Sequence, residues 1–370
     1  MSFITVIIII FSVLGALDRI FGNRFGLGKE FERGFELFSA MALTMIGLIV
    51  IAPALGSWLK PVFEGFYTLL HIDPSVIPAL LFANDMGGAA LSTEIAKDAL
   101  IGGYNAYVVS SMMGCVISFT IPFASGLVSP EQHREMFFGF LCGIITIPAG
   151  CLVAGFMCGI GFSQLVLTLL PLLIICAVIA LGMWLVPNTC VNIFKVFGVI
   201  IKAFATVGLS LGIISFLTEK TIIVEFATLE EGARICVNAC VTLSGAFPLM
   251  FVVGKLLKKP MAKLGGVLGV NSTSALAFVP TLVTNATTFG MMRDMDKKGV
   301  VLNSAFAVSA AFVFGCHLGF TMGLDKFFVA PMIVGKLISG ISAVILAMLI
   351  YKPEKTEEKV NAPMENAEQA

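Results

Sequence analysis

Charge is scarce in this chain. Only 12% of its 370 residues are Asp, Glu, Lys or Arg, about half the share that keeps a soluble domain's surface wet. Formal net charge is zero and no basic stripe is present, which excludes nucleic acid as a partner. Tyrosine and tryptophan together number six, so the aromatic content is nearly all phenylalanine. The nine cysteines show no CxxC and no metal-ligand spacing, which argues for small core residues and against a metal centre. No HExxH and no nucleotide-binding loop appears, so neither a catalytic metal nor a bound cofactor is expected. A Cys–His enzyme built on Cys316 and His317 lacks an oriented acid and sits in apolar surroundings.

What is abundant is apolar length. Hydrophobic residues make up 58% of the chain, mean hydropathy is +0.99, and runs long enough to cross a bilayer recur from end to end. The expected class is an all-α polytopic membrane protein whose immediate partner is the lipid bilayer. The first run, from Phe3, has no basic start and no small-residue cleavage site, so it reads as a retained span. Hydropathy places segments at about 2–18, 34–57, 75–92, 104–127, 136–159, 163–186, 193–217, 232–254, 267–290, 301–323 and 327–350. The stretch 352–370 is rich in Glu, Lys, Asn, Ala and Pro and reads as a disordered aqueous tail.

Two segments are interrupted. PALLFANDMGGAAL, residues 78–91, puts Asn84 and Asp85 into an apolar run and follows them with Gly87 and Gly88. GVNSTSALAFVPTLVTNATTFG, residues 269–290, starts on Asn271, Ser272, Thr273 and Ser274 and carries Pro280 and Asn285 beyond. Polar backbone is tolerated at membrane depth only where protein covers it or a wet cavity receives it. If both segments enter and return to the same side, 17 basic residues fall on one face and five on the other. That division puts the N-terminus outside and the tail in the cytoplasm. Nine full spans and two re-entrant hairpins result; eleven full crossings remain the alternative.

The halves also resemble each other. ERGFELFSAMALTMIG at 32–47 matches EEGARICVNACVTLSG at 230–245 at an offset of 198. GCVISFT at 114–120 matches GCHLGFT at 315–321 at an offset of 201, which also lays Asn84 on Asn285 and Lys97 on Lys298. Repeats over 1–160 and 193–351, joined by a segment at 161–192, are expected. With hairpins they are inverted, an arrangement that can expose a central site to either side in turn.

The interruptions carry the candidate site. Asp85 is open to two roles that can coexist: capping a helix end, or binding a cation. Asn84, Asn271 and Asn285 offer both donor and acceptor; Ser272 and Thr273 can serve a ligand or bond back to their own helix. Phe82 and Phe278 are candidate faces for a cation. Glu94 is either a solvated rim residue or a group that catches a cation on its way in. His317 is either a packed neutral core residue or a gating and proton-coupling group, with Gly87 and Gly88 as the flexible part of such a gate. No second buried carboxylate pairs with Asp85, which favours uniport while leaving a coupling proton or sodium open.

With LFANDMGGAALSTEIAKDA at 81–99 and GVNSTSALAFVPTLVTNATTFGMM at 269–292, the chain resembles the bacterial ethanolamine-utilisation permeases, over about residues 1–350. The resemblance implies an inner-membrane transporter and no enzyme. It would bring ethanolamine to a pathway in which a cobalamin-dependent lyase, often inside a microcompartment, makes acetaldehyde and ammonia. Ethanolamine is a small ammonium cation with one hydroxyl. Asp85 would take the ammonium and Asn271 or Asn285 the hydroxyl. Alternating access is the implied mechanism; a transporter or channel for another small amine is the alternative, and homo-oligomerisation stays open.

Overall fold

The computed structural model describes residues 3–352, and among these every regular element is helical. In chain order, α1 (Phe3–Ile20) and α2 (Leu27–Leu59, helical on to Leu70) are followed by a broken pair, α3 (Val76–Leu81) and α4 (Ala89–Ile95). Next come α5 (Ala99–Leu127), α6 (Pro130–Met157), α7 (Phe162–Leu185), α8 (Pro187–Thr218) and α9 (Leu229–Leu268). A second broken set follows: α10 (Ser272–Leu276), α11 (Phe278–Thr281) and α12 (Asn285–Gly290). The chain then forms α13 (Lys297–Ala310), α14 (Cys316–Leu324) and α15 (Lys326–Ile350).

Eight of these helices are long and apolar enough to cross a membrane. The sequence led us to expect nine or more. The difference lies in 301–323, which is interrupted at 311–315, so that α13 and α14 are each too short to span alone. The tail expected to be disordered lies, after Lys352, outside the described residues.

The helices start and stop where side chains dictate. Thr228 caps α9 by accepting from the Glu231 amide at 3.2 Å, and two glutamates in the first turn suit the positive end of the helix dipole. That helix continues well past its apolar part through Lys255, Lys258 and Lys259, and ends on Gly269 at φ 65°. On α7, Val166, Leu170, Ile174, Val178 and Leu181 form an exposed apolar stripe, while Leu165, Leu169, Leu172 and Cys176 are buried. Such a stripe is the face a spanning helix offers to lipid. In hydrocarbon, helices gain little from apolarity alone and associate through close packing of small residues. The contact of α6 with α15 shows this: a Cβ on Gly150 would strike the Gly335 carbonyl.

Both interrupted segments turn back on themselves. Asp73, just before α3, accepts from the amides of Lys97 and Asp98, just after α4, at 3.0 and 2.9 Å. Asp296, just after the second set, accepts from the Asn271 amide at 2.9 Å, and Asn271 Nδ2 donates to the Asp294 carbonyl at 2.9 Å. Each hairpin is thus closed at its base. The first base adjoins the start of α5; at the second, the Met292 carbonyl accepts from Gln132, just past the end of α5. The two bases therefore lie at opposite ends of that helix.

Candidate functional site

At the first tip, Phe82 and Ala83 are extended (ψ 138° and 151°), and Asn84–Gly88 is a turn whose Met86 and Gly88 amides donate to the Ala83 carbonyl. Gly87 takes φ 91°, a conformation that L side chains rarely adopt. Gly88 has a different reason: a Cβ there would meet Ser110 Oγ and the Phe82 carbonyl. At the second tip Thr284 is extended (φ −156°), and Asn285 opens α12.

Each tip crosses the helix that follows it, and the crossings correspond. A Cβ on Gly114 would strike the Phe82 carbonyl, and one on Gly315 would strike the Val283 carbonyl; both members differ by 201 positions. Here lies the reason for the break at 311–315. The amides of Phe312 and Phe314 donate to the Thr281 and Leu282 carbonyls, at 3.3 and 2.8 Å, which pulls them out of their own helix. In the first unit α5 instead runs on through π-helical turns, and Ser110 and Ser118 hydroxyls bond the Phe82 carbonyl and the Ala83 amide.

The tips also reach across to each other's unit. Asn84 Nδ2 donates to Thr321 Oγ1 at 3.4 Å, and Asn285 Nδ2 donates to Thr120 Oγ1 at 3.4 Å. Both asparagines are fully buried, and the Oδ1 atom of each has no donor among the described residues. Asn105 Nδ2 to Ser75 Oγ and Asn303 Nδ2 to the Ser274 carbonyl form a second corresponding pair.

Where the tips meet there is a chamber of about 450 Å³. Its wall includes Asp85, Met86, Cys115, Phe119, Phe247, Thr284, Thr287, Phe312, Cys316 and His317. Arg33, Phe247, Val283, Thr284 and Thr287 also line a vestibule of about 350 Å³, whose far side carries Glu30, Lys255 and Lys258. The Arg33 guanidinium lies 5.5 Å from the centre of the Phe247 ring, and Lys255 Nζ lies 4.1 Å from that of Phe251. Behind the chamber wall a polar chain runs inward. His317 Nε2 is 3.7 Å from Asp85 Oδ1, and His317 Nδ1 is 3.2 Å from Lys336 Nζ, which donates to the Ser111 carbonyl at 2.6 Å. An ammonium cannot accept, so with Lys336 charged Nδ1 accepts, and the neutral ring carries its proton on Nε2, toward Asp85.

Among the expected site residues, the structure brings Asp85 and His317 together at the chamber. Asn84 and Asn285 sit at the crossed contacts beside it, and Gly87 and Gly88 shape the turn behind Asp85. Asn271, Ser272 and Thr273 lie at the base of the second hairpin, where Asn271 caps α10 through the Ser274 amide. Phe82 packs on Phe197 with ring centres 5.5 Å apart, and Phe278 on Phe306 at 5.2 Å; the chamber's aromatic faces are Phe119, Phe247 and Phe312 instead. Glu94 is exposed near the base of the first hairpin. Sequence reasoning missed Lys336: a lone lysine within an otherwise apolar span was the available signal. Asp85, Cys316 and His317 could each offer a donor atom to a metal ion, all within 4.8 Å of one another. The Lys336 ammonium against the other nitrogen of His317 opposes a second cation there. One string, GLSLG at 208–212, has the spacing of a nucleophile elbow, but it lies inside α8 with Ser210 Oγ bonded to the Thr206 carbonyl.

The family described as "Ethanolamine utilisation protein, EutH" matches residues 1–350. The chain belongs to the EutH family. It is 42% identical over 361 residues to a probable ethanolamine permease EutH of Listeria monocytogenes, covering 98% of this chain and 96% of that one. It is 34% identical over 395 residues to a probable ethanolamine permease EutH of Salmonella typhimurium, covering 96% and 97%. A protein of Bacillus subtilis named YxeR, described as uncharacterized, is 36% identical over 354 residues, covering 95% and 96%. No solved structure matches the chain. EutH membership and eight apolar helices together make this a multi-pass membrane protein.

Proposed function

We propose that this EutH protein carries ethanolamine across the bacterial cytoplasmic membrane, for use as carbon and nitrogen source, and that the chamber between the two tips binds it. The observation that carries the reading is a single carboxylate, Asp85, in the wall of a chamber faced by three phenylalanine rings. Asp85 takes the ammonium by a charge-assisted bond, contributing roughly 1.5–3 kcal/mol. The aromatic faces add about 0.5–2 kcal/mol. Thr284 and Thr287, which line chamber and vestibule alike, can meet the substrate hydroxyl, with Asn285 beside them.

The repeats are inverted in this reading, with halves at 1–160 and 193–351 linked by 161–192. Hairpin bases at opposite ends of α5 and the two Asn–Thr contacts across the units support it. The N-terminus is outside, the tail is cytoplasmic, and the vestibule with Lys255 and Lys258 faces the cytoplasm. Access then alternates as one unit tilts against the other.

Radiolabelled ethanolamine uptake into proteoliposomes, at matched protein density, tests the site. Asp85→Asn is expected to lower saturable uptake far more than Phe82→Leu, whose ring packs on Phe197 away from the chamber. Equal losses, or none in Asp85→Asn, would remove the carboxylate from the reading.

A further inference from the structure

Lys336 stands in the apolar part of α15 with 1% of its surface exposed, and among the described residues two acceptors meet its three N–H groups: the Ser111 carbonyl and His317 Nδ1. The other titratable groups facing it are Asp85 and the thiols of Cys115, Cys151 and Cys316. Arg33 stands further out, where chamber and vestibule join. With Asp85 and Lys336 both ionised, the buried site balances one carboxylate against one ammonium, with His317 between them. Asp85 and His317 are 3.7 Å apart, too far for a hydrogen bond, and the carboxylate, which lines the chamber, has the Cys316 thiol as its side-chain partner. A substrate ammonium arriving at Asp85 would be the second cation beside one anion, in a place with little water to spread the charge. An uncompensated charge in such a setting is costly.

We propose that transport exchanges one ethanolammonium for one proton, with Lys336 as the internal cation that gives way. The proposal rests on the chamber's being the ethanolamine site. When the substrate docks on Asp85, Lys336 Nζ passes a proton to His317 Nδ1, and the proton already on His317 Nε2 leaves to chamber water. The ring ends as the opposite neutral tautomer, the lysine as a neutral amine, and the site's total charge is unchanged. On the return stroke a proton from the other side restores the ring and the ammonium. The sequence favoured uniport for want of a second carboxylate near Asp85; the partner group is a lysine, and it changes the charge count.

The test uses full-length protein in proteoliposomes, with membrane potential set by potassium and valinomycin and the saturable uptake measured above that of protein-free vesicles. An inside-negative potential from a tenfold potassium gradient is expected to leave wild-type accumulation unchanged, whereas uniport of the cation would raise it about tenfold. A lumenal pH dye should report protons leaving as substrate enters. Lys336→Met should convert uptake to a voltage-driven process. Voltage-driven accumulation by the wild type overturns the proposal, as does voltage-independent uptake by Lys336→Met, which would mean that the neutral amine is carried. If Lys336→Met fails to reach the membrane, Lys336→Arg takes its place: a guanidinium keeps its proton, so saturable uptake should be lost, and wild-type uptake overturns the exchange. Absence of saturable wild-type uptake would instead strike the ethanolamine site itself, a distinguishable result.

Discussion

The unit from Asp73 to Leu127 and the unit from Asn271 to Leu324 repeat each other in their frame and differ in their chemistry. In both, a side chain at the base closes a hairpin, a tip carbonyl presses on a glycine of the following helix, and a buried asparagine reaches a threonine of the opposite unit. Yet the position that holds Asp85 in one holds Ala286 in the other, and only the second unit supplies a histidine to the chamber. The two units share a frame, and in the proposed reading only the first carries, at residue 85, the carboxylate that takes a cation. Residues that hold the frame should respond alike in the two units, and residues that handle substrate should not.

The sharpest break of that comparison is at Asp85. Asp85→Asn should lower saturable uptake about 10- to 100-fold, the worth of one charge-assisted bond. Adding Ala286→Asp should not restore it, because His317 and Lys336 stand beside residue 85 only; restored uptake would show that depth in the chamber suffices. Next come the bases. Asp73 accepts from the Ser75, Lys97 and Asp98 amides, and Asp296 from the Asn271 and Gly299 amides and Ser274 Oγ. Asp73→Ala and Asp296→Ala should each cost about 1.5–3 kcal/mol of stability in detergent, read from thermal unfolding, and by similar amounts.

A smaller effect tests where the units part. Gly87→Ala forces a side chain to φ 91° and should cost about 1–2 kcal/mol. Its counterpart Thr288 lies within α12 and already carries a side chain without that strain. The smallest effect is the most symmetrical. Double-mutant cycles for Asn84 with Thr321, and for Asn285 with Thr120, should each give a coupling of about 0.5–1 kcal/mol. Unequal couplings would mean that the two contacts carry different loads.

The sequence showed the frame more clearly than the site. Two glycines after Asn84 and Asp85, and a polar stretch before Pro280, announce broken helices because each offends an apolar run. The offset of 201 puts Asn84 and Asn285 into correspondence without any knowledge of their contacts. The break at 311–315 was hidden, since AFVFG holds no proline or polar residue; it arises because carbonyls of the neighbouring tip take the Phe312 and Phe314 amides. Asn271 looked like a ligand because an amide at a segment start suits either capping or binding, and one sequence does not separate the two. Phe82 and Phe278 are near the polar breaks in the chain, while the aromatic faces of the chamber come from helices α5 and α9 and the break before α14. Lys336 lies 251 positions from Asp85, and only folding brings them to either side of one imidazole.

The closed bases have a mechanical consequence. A loop tied at its neck cannot fold its tip independently of the helix to which the neck is tied. In the proposed alternating-access reading, each hairpin with its following helix acts as a single stiff lever, and a change of opening from one face to the other comes from the two levers turning about their shared fulcrum, where Asn84 touches Thr321 and Asn285 touches Thr120. A disulfide stapled across either neck would leave such a machine running, whereas one across the fulcrum would stop it.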